Sequence, residues 1–151
     1  MRFEKTRDAI KHAKSFHIRL AKLYEFLATN ENPQKVELLL NYLIKHENDA
    51  AQALGNYEKD SSTGILDTYL QFANDQNILK IPEFETLQTD KSMEYIAELA
   101  TRFSDELIEL YSQVEQEVDE MQLKEIFTNL VEMQKQEKRI LSMNIDRMMD
   151  I

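Results

Sequence analysis

Tyr42-Leu-Ile-Lys-His46-Glu-Asn-Asp49, inside the stretch from Pro33 to Tyr57, decides the fold. Around it Val36, Leu39, Leu40, Leu43, Ala50, Ala53 and Leu54 recur at the spacing of one helical face, which predicts an amphipathic helix. His46 and Asp49 are three residues apart and so share a face. Leu39, Leu43, Ala50 and Ala53 make that face the apolar one. A histidine and an aspartate turned into a bundle interior need each other, further polar partners or a metal.

Working outward, the same periodicity predicts three more helices. The first runs from about Thr6 to Leu27 with Ile10, Ala13, His17, Leu20, Tyr24 and Leu27 inward. Thr29-Asn-Glu-Asn-Pro33 separates it from the second, with Asn32 as N-cap and Pro33 at the first helical position. So short a loop makes the two an antiparallel hairpin. Gly55 is expected where the second helix frays or exits. Lys59 to Gly64 then reads as loop, Ile65 to Ala73 as a short helix, and Ile78 to Pro82 as extended, because the residue before a proline avoids the helical region. A connection this long is expected to cross the bundle.

The third helix begins near Asp90 and turns Ile96, Ala100, Phe103, Ser104, Leu107, Tyr111, Val114 and Val118 inward. Asp119-Glu-Met-Gln122 resembles a capping box and starts the fourth helix at once. Its inner stripe is Leu123, Phe127, Leu130, Gln134, Glu137, Leu141, Ile145 and Met148. The expectation is one domain over residues 1–151: an all-α four-helix bundle with helices near 6–28, 33–57, 90–118 and 119–149. Its order is up-down-down-up, with a long crossover placing the second and third helices parallel.

Composition sets the outer limits. A chain of 151 residues suffices for one core, burying roughly 70% of the unfolded surface. Two glycines and two prolines suit long helices with few connections. The net charge of −10 argues against nucleic acid as a partner, and the absence of cysteine excludes disulfide and thiolate chemistry. No apolar run approaches the ~18 residues of a membrane span and no signal-peptide core follows Met1, so the expectation is a cytoplasmic protein without a membrane partner. The first helix alone is basic, which fits a cationic helix packed into an acidic bundle.

The two expected hairpins repeat each other. His17 precedes Tyr24 by seven residues and leads to Leu39-x-x-Tyr42-x-x-x-His46-x-x-Asp49. Ser104 precedes Tyr111 by seven and leads to Phe127-x-x-Leu130-x-x-x-Gln134-x-x-Glu137. Tyr24 to His46 is 22 residues and Tyr111 to Gln134 is 23, a pseudo-twofold pattern. In this pattern nearly the whole chain resembles the ferritin-like superfamily, its rubrerythrin-like members in particular. In that family each hairpin offers a glutamate seven residues before an aromatic, then Glu-x-x-His, and the six side chains hold two metal ions. The resemblance places these on His17, His46 and Asp49, and on Ser104, Gln134 and Glu137. None keeps the family residue, and His17, His46, Asp49 and Glu137 are the four that retain metal-binding chemistry. The resemblance also implies a homodimer or larger homo-oligomer.

Three readings of this polar core follow. His17 and His46 can pair with Asp49 and Glu137 by hydrogen bonds alone, with no cofactor. The same four residues can hold a single Fe, Mn or Zn ion. The third reading is a two-metal oxidase. The first makes the chain a structural or regulatory protein acting through self-association or a protein partner; the others make it a metal-dependent oxidoreductase. His12 lies off the inner stripe, Tyr24, Tyr42 and Tyr111 read as core aromatics, and Met143, Met148 and Met149 as gap-fillers. Glu115, Glu117, Asp119 and Glu120 read as a solvated helix end.

Overall fold

The computed structural model describes residues 5–28, 32–60, 64–67 and 92–149. Four helices account for nearly all of them: α1 (Thr6–Ala28), α2 (Gln34–Asp60), α3 (Met93–Glu117) and α4 (Met121–Met149). No described residue belongs to a β-strand, and none of the described helices is long and apolar enough to cross a membrane. The architecture is the expected all-α four-helix bundle.

Two hairpins build it. In the first, His17 meets Glu47 and Lys14 meets Glu58, so α1 and α2 run antiparallel. In the second, Ser104 meets Gln134 and the Tyr111 ring meets that of Phe127, so α3 and α4 do the same. Across the hairpins Phe16 packs edge-on against Phe103 with centroids 5.7 Å apart, and Tyr42 of α2 reaches Glu137 of α4. An up-down-down-up order accommodates these pairs. The expected inner stripe of α1 is buried throughout, as is that of α3.

The helix ends follow from local chemistry. Ser92 caps α3, its Oγ accepting from the Tyr95 N–H at 3.2 Å. Val118 closes α3 in extended backbone, and Lys124 reaches back to its carbonyl at 3.1 Å. The cap of α4 falls one residue later than the capping box predicts. Glu120, not Asp119, accepts from the Leu123 N–H at 2.9 Å. Asn32 joins the first hairpin, its amide donating to Leu27 O at 3.0 Å and to Glu37 Oε1 at 2.7 Å.

Gly55 does not end α2, which continues to Asp60. The end of the Lys14 side chain passes over Gly55, within 3.5 Å of where a Cβ would stand. Beyond α2, Gly64 adopts φ +95°, a conformation glycine permits, and opens a 3-10 turn at Ile65–Asp67. Asp67 ties this turn to α1 by accepting from Arg7 Nε at 3.1 Å. The extended segment expected at Ile78–Pro82, and the remainder of the short helix expected through Ala73, lie outside the described residues.

Candidate functional site: a polar layer across the bundle core

Seen from the helices, the inner stripe of α2 is Val36, Leu40, Leu43, Glu47, Ala50 and Leu54, alternating four- and three-residue steps. Glu47 is therefore a core position and is only 5% exposed. Asp49, two residues on, is turned about 200° from Glu47. The structure corrects the sequence here: the Asp49 side chain is 61% exposed and pairs with Lys45 at 2.8 Å. His46 borders the stripe, with its side chain 12% exposed.

His17 and Glu47 form the centre of the layer. His17 Nδ1 lies 2.5 Å from Glu47 Oε2, and its Nε2 lies 3.1 Å from the Tyr111 hydroxyl. With Nδ1–H donating to the carboxylate, Nε2 accepts from the phenol in the neutral ring and donates to it in the imidazolium. In the other hairpin Gln134 Nε2 donates to Ser104 Oγ at 3.2 Å. All five side chains are buried. Burial, reinforced by the charge of Glu47, holds both Tyr24 and Tyr111 well above the ordinary phenol pKa.

A second polar group sits toward the surface between α2 and α4. The Tyr42 hydroxyl donates to Glu137 Oε2 at 2.6 Å, and His46 Nδ1 lies 3.3 Å from the same oxygen. Burial first, then the hydrogen bond and the charge of Glu137, raise the Tyr42 pKa. The expected foursome thus divides. His46 meets Glu137; His17 pairs instead with Glu47 and Tyr111; Asp49 stands on the rim of the cleft that His46 and Glu137 line. Among the described residues no three His, Asp or Glu side chains converge in a group that could hold a metal ion.

These pairings also correct the register of the repeat. His17 and Glu47 are 30 residues apart, and so are Ser104 and Gln134. A constant shift of 87 carries His17 to Ser104, Tyr24 to Tyr111, and Glu47 to Gln134. The same shift carries Phe16 to Phe103, Leu43 to Leu130, and Leu54 to Leu141. Matching His46 with Gln134 leaves unequal spacings of 22 and 23; matching Glu47 removes the discrepancy. Glu47 is the core residue that attention to His46 and Asp49 misses, and the alternating four- and three-residue steps of α2 are the signal that finds it. Comparison with known proteins adds no assignment to this geometry: no family model matches the chain, and no curated protein or solved structure matches it significantly.

Proposed function

We propose that the chain is a non-catalytic, ferritin-like bundle, a structural or regulatory protein that acts by associating with itself or with a protein partner. The observation that carries this reading is the closed polar layer. Both ring nitrogens of His17 have side-chain partners, and the Gln134 amide donates to Ser104. A phenol–imidazole–carboxylate chain could move a proton, but this one is sealed, with His17 1%, Tyr111 2% and Glu47 5% exposed. A substrate has no approach to it without the bundle opening.

The corrected register sharpens the ferritin-like resemblance. Glu47 falls on the glutamate of the first Glu-x-x-His and Ala50 on its histidine, while Gln134 and Glu137 take the corresponding places in the second hairpin. One carboxylate keeps its place at the centre, and His17 stands against it where the family has another glutamate. The His17 Nδ1–H donates to that buried carboxylate and so satisfies it where a metal does so elsewhere. The single-ion reading, with Fe, Mn or Zn held by His17, His46, Asp49 and Glu137, requires side chains from two separate polar groups to reorganise. The metal-dependent oxidoreductase is therefore the second reading.

Light scattering across a wide concentration range, together with elemental analysis after addition of Fe(II), Mn(II) and Zn(II), tests this reading. A concentration-stable homodimer or larger assembly without stoichiometric metal is the expected result. A retained ion that disappears in the His17→Ala/His46→Ala variant overturns it in favour of the metal-dependent alternative. A monomer at every concentration removes self-association and leaves only a different protein partner.

A further inference from the structure

α4 turns Lys135, Lys138, Arg139, Ser142 and Met143 to one side, at the three- and four-residue steps of a single helical face. α3 brings Asp105 and Ile108, also three residues apart, to meet them. These side chains line an open groove of about 680 Å3 on the outer face of the second hairpin, a volume that suits a small ligand.

Charge is distributed here against the trend of the molecule. The chain carries −10 overall, yet the groove holds three cations and one carboxylate. That carboxylate, Asp105, is already satisfied by Lys138. Lys135 is exposed and bonded to no described residue, Glu132 three residues back included. Arg139 uses Nε and one Nη2 hydrogen on Gln136 Oε1, at 3.3 and 2.9 Å, which leaves Nη1 open. Two positive heads one turn apart on the same helix repel each other. The helix dipole does not account for them, because it acts within the last turn and Arg139 lies well inside α4, which runs on to Met149.

An anion between Lys135 and Arg139 relieves that repulsion, and the planar guanidinium fits a carboxylate through Nη1 and the second Nη2 hydrogen. Ser142, exposed one turn on, adds a hydroxyl donor. Beyond the charged heads the surface is apolar: Ile108 is half-buried and Met143 is 54% exposed. A bare inorganic anion leaves this part uncovered, whereas an acid with an alkyl chain covers it. From Lys135 to Met143 α4 rises about 12 Å, which sets the chain at about eight carbons.

We infer that this groove binds a free medium-chain carboxylate, its head group between Lys135 and Arg139 and its alkyl chain against Ile108 and Met143. The groove stands apart from the sealed His17–Glu47 layer, so it holds or fails independently of the non-catalytic reading.

Calorimetric and 1H–15N NMR titration with sodium octanoate tests the site, with acetate as the anion without a chain and 1-octanol as the chain without an anion. About 0.15 M salt screens diffuse attraction to exposed lysines elsewhere. The expected result is saturable one-to-one binding of octanoate below millimolar concentration. Signals of Ile108, Lys135, Arg139 and Met143 move, and neither counterpart saturates. Lys135→Gln with Arg139→Gln, both at exposed positions, weakens binding about tenfold or more while far-UV circular dichroism stays unchanged. Met143→Glu sets a negative charge against the chain and abolishes binding. Asp105→Asn releases Lys138 to the groove and tightens binding severalfold. Non-saturating shifts, shifts centred on the basic α1, equal binding of 1-octanol, or unchanged affinity in the Lys135→Gln/Arg139→Gln variant overturn the inference.

Discussion

His17 meets side chains from two other helices with its two ring nitrogens, and this makes it the residue on which the core most depends. His17→Ala leaves the Glu47 carboxylate buried and unpaired, at an expected cost of about 3–5 kcal/mol in chemical denaturation. The repeat offers a sharper variant: His17→Ser with Glu47→Gln installs in the first hairpin the pair that the second already uses. The double variant is expected to be more stable than either single one, because the glutamine amide donates to the serine without charge. A double variant less stable than both singles refutes the equivalence of the two pairs. The phenols give a separate test. Tyr24, Tyr42 and Tyr111 all have raised pKa values, burial being the first cause of each. A raised folded-state value means that stability is fully present below the unfolded pKa of about 10 and is lost as pH rises through the folded value. Tyrosinate absorbance is therefore expected to show these three titrating late, together with unfolding above roughly pH 10. Their titration near pH 10 in a still-helical protein counts against their burial.

At the scale of the helix, what the sequence made legible was periodicity, and what it hid was register. The inner stripes of α1 and α3 follow directly from apolar spacing, and their residues are buried as expected. On α2 a charged residue interrupts the stripe, and a three-residue pairing of His46 with Asp49 is as regular as the true run through Leu43, Glu47 and Ala50. The alternating steps along the whole helix favour Glu47, and the partner across the hairpin separates the two: Glu47 is buried against His17 while Asp49 turns to Lys45 and solvent. The α4 cap was displaced for a similar local reason. Asp119 and Glu120 both offer a carboxylate, and Glu120 is the one that reaches the Leu123 N–H. Gly55 misled because its flexibility marks helix ends, whereas here its missing side chain makes room for Lys14. The cap of α3 is legible only from the folded structure and yields its own expectation. Ser92→Ala removes the acceptor for the Tyr95 N–H and is expected to cost about 0.5–2 kcal/mol. Ser92→Asp is expected to restore most of that loss.

At the scale of the whole molecule, the question is whether two repeated hairpins unfold as two units or as one. Each hairpin has its own polar pair and its own antiparallel contacts, so sequence repetition alone permits two transitions. The contacts between hairpins argue for one. Leu20, Tyr24 and Leu40 of the first hairpin and Phe103, Leu107, Tyr111 and Phe127 of the second belong to a single buried apolar cluster, and neither hairpin can cover this surface alone. Two tyrosine hydroxyls link across the same boundary, Tyr111 to His17 in the core and Tyr42 to Glu137 at the cleft, where His46 also meets Glu137. Tyr→Phe at either position keeps the ring and removes the link. Tyr111→Phe is expected to cost about 1–3 kcal/mol, since the buried His17 Nε2 loses its partner. Tyr42→Phe costs less, because Glu137 is only half-buried and can recruit water. The links share no side chain, so in a single cooperative unit the double variant should show additive losses within ~0.5 kcal/mol. Its unfolding should remain one coincident transition by far-UV circular dichroism and by tyrosine fluorescence. Two separated transitions in the double variant would instead show that these hydroxyls, more than the shared apolar core, make the hairpins one body.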